Sequence, residues 1–288
     1  MQALPIDKKL SLKNDGRLEI AFIGTGSAFA KTLFQTNFLI IKGGTHIMVD
    51  FGMTGPRALM VHAGLDVTDL EVFLPTHSHA DHVGGLEATA LMNRYVGRKF
   101  MGKPKLKAII SEPYQEVLWD RTLRGGMEWN EETDDKKRLC FTDFFDVIRP
   151  RWLTQQPREI WTVELGGIRM EMFRTKHIPD TAADWQASFI SYGLFISLGR
   201  RDDLGIFISG DSRWDPELID YYAPRSEFLF HDVQFFPGAV HAPLADLKNL
   251  RADVKERTAL VHYADNWPQQ DISGFAGWAK EGHRYIFD

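Results

Sequence analysis

Cysteine is almost absent from this chain: Cys140 is its one thiol in 288 residues. No disulfide can form within it, and one unpaired thiol fits a reducing compartment, so a cytoplasmic location is the expectation. Long apolar runs are missing too. No stretch approaches the ~18–20 uninterrupted apolar residues of a membrane-spanning helix, and the polar opening, residues 1–16, lacks the apolar segment of a secretory signal. There is no surplus of basic charge: 34 Lys and Arg stand against 39 Asp and Glu, a net charge of −5. A protein built to coat nucleic acid carries the opposite balance. Short repeats and low-complexity segments are lacking as well. What remains is an ordinary globular composition, 44% hydrophobic and 25% charged, long enough for one large domain or two small ones.

Strand and helix signals alternate along the chain. Residues 18–23 are rich in β-formers and stop at Gly24-Thr25-Gly26-Ser27. Residues 37–41 and 46–50 predict a hairpin turned by Lys42-Gly43-Gly44. A short helix is expected over 56–62, a buried strand over 72–74, a helix over 85–95 with Leu86, Ala90 and Leu91 on one face, and a strand over 106–110. Periodicity fades over 119–161. Gly125-Gly126 and the charged run 131–138 predict exposed turns there, and the stretch is expected to be an insertion or lid. Further strands are expected over 162–165, 169–175, 189–198, 205–209, 227–230, 258–261 and 284–287. Helices are expected from Pro216, over 243–251 and over 272–280. This mixture predicts an α/β fold with substantial antiparallel sheet.

The densest chemistry lies in His77-Ser78-His79-Ala80-Asp81-His82. Imidazole nitrogen and carboxylate oxygen suit zinc and similar divalent ions. Alternate residues of an extended segment point the same way, so His77 and His79 can share one ion. A turn at Asp81-His82 can aim the next two donors at a second ion, and Gly84-Gly85 permits a tight backbone where the following helix starts. A surface histidine cluster is the alternative, but the run sits between a buried strand and a helix.

This His-x-His-x-Asp-His run, placed between a strand and Gly84-Gly85-Leu86, resembles the signature of the metallo-β-lactamase superfamily. Three further segments resemble its ribonuclease Z and cyclic-nucleotide phosphodiesterase branch: Gly24-Thr25-Gly26-Ser27-Ala28-Phe29 with Asn37, Met48-Val49-Asp50-Phe51-Gly52, and Ser209-Gly210-Asp211-Ser212. The resemblance implies a single domain over 1–288, a four-layer αββα sandwich of two mixed sheets flanked by helices. It also implies a dinuclear metal-dependent hydrolase in which metal activates the attacking water. By the family pattern, His177 joins His77 and His79 at one ion, His262 joins Asp81 and His82 at the other, and Asp211 bridges both. Two divalent ions are expected, zinc by default, with manganese or iron also compatible with a mixed His/Asp set.

Asp81 can orient the water as well as bind metal, and protonation of the leaving group falls to His231, Asp232 or His241. His231-Asp232-Val233 and His241-Ala242-Pro243 resemble the branch's His-Glu-Ala and His-Ser-Thr elements, which favours His241 as the acid. Asp232 in place of Glu, and Ala242-Pro243 in place of Ser-Thr, put phosphate contacts in that loop in doubt. His241 could instead simply cap the helix expected from Pro243. Asp50 is either a turn former or the partner that fixes a ligand histidine's tautomer. His46, His62 and His283 carry no expected role.

The branch favours phosphodiesters. Ribonuclease Z enzymes grip tRNA with a long Gly-, Pro- and Lys-rich arm, which this acidic chain lacks. The aromatics Trp119, Trp129, Phe141, Phe144, Phe145, Trp152 and Trp161 either stack on a single base or form the core of the expected lid. A small nucleotide phosphodiester, cyclic nucleotides included, is therefore the expected substrate. An RNA 3′-processing endonuclease is the alternative, and a hydrolase of other esters, lactones or thioesters a further one. A homodimer is expected by analogy alone.

Overall fold

Runs of residues buried on both faces give the molecule its centre. The computed structural model describes residues 1–200, 204–238 and 240–288. Its strands are β1 (Gln2–Pro5), β2 (Leu18–Gly24), β3 (Asn37–Lys42), β4 (Thr45–Val49), β5 (Val72–Leu74), β6 (Leu106–Ile109), β7 (Phe145–Ile148), β8 (Arg151–Thr154), β9 (Ile160–Leu165), β10 (Ile168–Arg174), β11 (Tyr192–Ser197), β12 (Gly205–Ile208), β13 (Ser226–Asp232), β14 (Thr258–Val261), β15 (Gly277–Trp278) and β16 (His283–Phe287). They form two sheets, ordered β1-β16-β2-β3-β4-β5-β6-β7 and β15-β14-β13-β12-β11-β10-β9-β8. Each sheet is antiparallel on one side and parallel on the other, the parallel strands being β4 to β7 and β12 to β15.

Local chemistry explains both halves. Two antiparallel pairs are joined by tight turns in which glycine takes a positive φ, at Gly43 between β3 and β4 and at Gly166-Gly167 between β9 and β10. Parallel strands need crossovers, and these carry the helices. Glu112–Leu118 leads from β6 towards β7, and Pro216–Tyr222 connects β12 to β13. Pro216–Tyr222 starts cleanly: Asp215 accepts from Leu218 N at 3.3 Å and proline occupies the first turn.

Alternation within a strand sorts side chains between layers. Phe195, Phe207 and Phe173 point outward onto Tyr222, with ring centroids 5.2, 5.6 and 4.6 Å away. Their neighbours Leu194, Ile196, Ile206 and Ile208 point inward to the core between the sheets. There Phe22 of β2 meets Phe230 of β13 at 4.9 Å, and Phe230 meets Tyr285 of β16 at 5.1 Å. The result is the expected four-layer order, helices, sheet, sheet, helices. Among the described residues no helix is long and apolar enough to cross a membrane.

Several local expectations need correction. Residues 272–280 form no helix. Ile272, Phe275 and Trp278 have helical spacing, but Gly274 and Gly277 adopt φ of +89° and +128°, and the segment instead forms turns and β15 beside β14. Trp278 packs on Tyr263 and Trp267, at 4.9 and 5.6 Å. Of the helix expected over 243–251 only Leu244–Leu247 forms, and a second short helix, Ala252–Lys255, begins just beyond it. Gly125-Gly126 lie in the helical turn Arg124–Met127, where Gly126 packs against the Glu87 carboxylate. Strand β1 has no counterpart among the expected elements, since its side chains are largely exposed and show no pattern. Residues 119–161 supply β7 and β8, an outer strand of each sheet, and bury Phe141, Phe144 and Phe145 while leaving Trp129 and Trp152 exposed.

One close approach fixes the loop after β5. Phe51 N donates to His82 O at 2.6 Å, and Gly85 N to Phe51 O at 2.9 Å. A Cβ on Gly52 would fall well inside contact distance of the Asp81 carbonyl oxygen. Gly52→Ala is therefore expected to cost about 1–3 kcal/mol by overpacking and to lower metal occupancy. Calorimetric unfolding with metal analysis of the purified variant checks this; an unchanged Tm with full occupancy would show that the segment yields freely.

Candidate metal centre

The donor residues come from strand ends on one rim of the sandwich. His77 and His79 follow β5, and Asp81 and His82 sit in the short helix Ala80–Val83 that opens immediately afterwards. His177 follows β10, Asp211 follows β12, and His262 follows β14 with φ of +60°. Gly210 takes a φ of +58°, and a Cβ there would press on the Tyr192 carbonyl oxygen, so the turn that presents Asp211 needs glycine.

Two sets of donors result: His77, His79, His177 and Asp211, and Asp81, His82, His262 and Asp211. In the first, His79 Nδ1 lies 3.0 Å from His77 Nε2 and 3.1 Å from His177 Nε2. In the second, Asp81 Oδ2 lies 3.3 Å from His82 Nε2 and 3.1 Å from His262 Nε2. Asp211 Oδ2 stands between the sets, 3.6 Å from His77 Nε2, 3.5 Å from His177 Nε2 and 3.2 Å from His82 Nε2. Ligands about 2.0–2.1 Å from a tetrahedral ion sit roughly 3.3 Å apart, so the spacing fits a shared cation.

Hydrogen bonding tests the same point. Three ligand rings have their outward nitrogen engaged, His77 Nδ1 with the Thr76 hydroxyl at 3.1 Å, His82 Nδ1 with Asp50 Oδ2 at 2.7 Å, and His177 Nδ1 with Val240 O at 2.9 Å, whereas the outward Nδ1 of His262 is buried without a partner. Bonds to such outer partners select the tautomer that turns a lone pair inward. Inward, His82 Nε2 and Asp211 Oδ2 are buried with no hydrogen-bond partner. Buried polar atoms are rarely left so, and a divalent cation would satisfy both.

Charge agrees. Burial holds His77 and His79 below the ordinary imidazole range and takes His177 down to about 4, which keeps these rings neutral. Burial opposes ionisation of Asp211, yet His262, His82 and His241 outweigh it and hold the carboxyl well below its usual range. Asp81 is lowered too, against its own burial, chiefly by His82 and by the hydrogen bond to His262. His82 is the exception: burial disfavours its charge, but Asp211, Asp81 and Asp50 face it and push its pKa up. The second set thus has a surplus of negative charge that calls for a cation.

The structure brings Asp232 and His241 to the rim of this centre. His241 Nδ1 lies 2.9 Å from Asp232 Oδ2 and 3.9 Å from Asp211 Oδ2. His231 stands behind them, buried, with Nδ1 2.9 Å from Asp232 O and its ring towards Phe207. Asp50 fills both of its suggested parts: it takes a φ of +55° in the turn and accepts from Thr76 N and Thr76 Oγ1 at 2.7 and 2.8 Å while holding His82. Two residues have no mark in the sequence. Thr76 links Asp50 to His77. Gln234 braces the loop of His241, bonding Phe236 O and Gly238 O through Nε2 and facing His241 N through Oε1. Neither residue type carries a chemical signal of its own.

Comparison with known proteins bears on both fold and kinship. The family described as Anti-Pycsar protein Apyc1 matches residues 18–285. A protein of that name from Bacillus phage BSP38 is 32% identical over 273 residues, spanning 93% of this chain and 98% of its own length. Another, from Paenibacillus harenae, is 36% identical over 254 residues, spanning 88% and 92%. Among solved structures, the metallo-β-lactamase fold protein YhfI from Bacillus subtilis aligns with a TM-score of 0.62 at 15% identity, over 94% of this chain and 100% of its own. The fold is therefore that of the metallo-β-lactamases.

Asp50 acts on the centre only through His82 and Thr76. Asp50→Asn should leave two ions bindable but weaken the second by roughly 10–100-fold, read by competition with a chromophoric chelator. Unchanged affinity at both sites would remove Asp50 from the design.

Proposed function

The chain belongs to the Anti-Pycsar protein Apyc1 family, and we propose that it is a two-metal phosphodiesterase that hydrolyses cyclic nucleotides. The observation that carries this reading is the placement of Asp211 Oδ2 within 3.2–3.6 Å of imidazole nitrogens from both donor sets. His77, His79 and His177 would hold the first ion and Asp81, His82 and His262 the second, with Asp211 a donor common to both sets. Zinc is the ion that this nitrogen-rich set favours. Bound divalent metal supplies acidity and charge, lowering the pKa of water from 15.7 towards ~7 and offsetting the charge of the phosphate.

The chain's own groups do the rest. Asp50, Thr76 and the Val240 carbonyl keep the ligand imidazoles in register. Asp81, a buried donor of the second set, is also the carboxylate that would orient the attacking water. Opening a cyclic phosphodiester leaves a sugar oxygen that needs a proton. Asp232 is buried, and by engaging His241 Nδ1 it leaves Nε2 as the nitrogen that faces substrate. Burial opposes a charge on His241, but Asp211 and Asp232 outweigh it and raise its pKa above the ordinary value, which is the protonation state of an acid. His231 then positions Asp232 rather than touching substrate. A cleft of about 610 Å³ opens on His241 and His262, a size suited to a small ligand.

Three measurements test this. Chelation should abolish cyclic-nucleotide hydrolysis and added zinc should restore it. Asp211→Ala should be inactive, with fewer than two ions per chain. His241→Ala should lose about 10²–10⁴-fold in kcat on a cyclic nucleotide, yet far less on bis-para-nitrophenyl phosphate, whose leaving group needs no proton. Cleavage of pre-tRNA with no turnover of any cyclic nucleotide would overturn the substrate assignment, and equal losses on both substrates would remove His241 as the acid.

A further inference from the structure

Two clefts flank His241, and their chemistry differs. One, of about 460 Å³, is lined by charged groups, Lys176, Asp180, Arg213 and Asp246 among them. The other, of about 610 Å³, is mainly apolar and runs from His241 and His262 between two loops that each carry an exposed phenylalanine. Phe29 is 92% exposed and Phe236 60% exposed. Large aromatic faces turned to water beside a polar centre mark a surface that a ligand covers.

Both loops are braced against the metal centre. The turn bearing Phe29 closes through Ala30 N to Ser27 O at 3.2 Å, and Ser27 N donates to Tyr263 O at 3.1 Å. The Asp265 carboxylate accepts from Lys31 N, Thr32 N and Thr32 Oγ1 at 2.8, 2.9 and 2.6 Å. Phe29 is thereby tied to the segment that begins at His262. On the opposite loop, Gln234 Nε2 bonds Phe236 O at 2.9 Å, Gln234 Oε1 accepts from His241 N at 3.3 Å, and Gln234 N donates to Ala242 O at 2.9 Å. Phe236 is thereby tied to His241. An aromatic ring on each wall, held at fixed reach from the phosphate-cleaving groups, is the arrangement that takes a flat heterocycle.

We infer that Phe29 and Phe236 form the nucleobase subsite, so that the base of the substrate stacks in the apolar cleft while its phosphodiester lies at the metal centre. This rests on the phosphodiesterase reading above. The orientation follows from the two clefts: the base enters the apolar side, and the charged side is left to solvent and to the phosphomonoester that ring opening creates. The aromatics of residues 119–161, which the sequence suggested for stacking, do not line this cleft.

The test compares a cyclic nucleotide with base-free cyclic ribose 3′,5′-phosphate on the zinc-loaded enzyme. Phe29→Ala and Phe236→Ala should each raise KM for the nucleotide about tenfold or more, leave kcat/KM for the base-free substrate unchanged, and keep the wild-type Tm, since both side chains are exposed. Phe29→Tyr should retain the wild-type KM. If the wild-type enzyme hydrolyses the nucleotide and both alanine variants keep its KM, the subsite falls and the phosphodiesterase reading stands. The subsite is likewise lost if the wild-type enzyme handles the two substrates equally well. If the wild-type enzyme hydrolyses neither, the functional reading fails and takes the subsite with it.

Discussion

A buried carboxylate among imidazoles is the constraint around which this molecule is arranged. Asp211 is 2% exposed, and nitrogens of His77, His82 and His177 surround its Oδ2 while His262 Nε2 lies 3.6 Å from Oδ1. Removing a carboxylate from water costs several kcal/mol unless positive charge meets it. Burial keeps His77, His79 and His177 neutral, so the rings of the first donor set supply no such charge, and His82 meets the carboxylate from the second. Cations shared between the two donor sets would meet it from both.

The two sheets exist, from the site's standpoint, to bring distant residues to that carboxylate. Asp50, His77, Asp211, Asp232 and His262 all lie at or just past the carboxyl ends of β4, β5, β12, β13 and β14, strands that belong to the parallel halves. Parallel neighbours end on the same side, so their following loops converge there, the rule that places ligands beyond the carboxyl ends of parallel strands. Phe22 packs against Phe230 across the sheets, with the rings tilted by 55°. Donor atoms set on strand ends move less than donors set on free loops, and glycine at 52 and 210 allows the backbones to approach closely enough.

How much of the molecule is legible in its sequence depends on how local each signal is. The run from His77 to His82 speaks for itself, because four metal-capable side chains in six residues have few other reasons to be together. His177, Asp211 and His262 are single polar residues in the sequence, and only the family resemblance singles them out; the fold brings them within reach of the run. Continuous apolar strands such as β11 and β12 are readable because both of their faces are buried. The helix expected over 272–280 fails because apolar spacing of three matches a helix, while the glycines at 274 and 277 take conformations a helix excludes. Phe29 and Phe236 have no pattern to mark them, since exposure is a property of the folded chain.

The most direct test is anomalous X-ray scattering at the metal absorption edge from crystals of the zinc-loaded protein. The account predicts two peaks per chain, about 3.5–4 Å apart, with Asp211 touching both, His77, His79 and His177 on one, and Asp81, His82 and His262 on the other. A single peak, or two peaks with Asp211 bound to neither, would contradict it.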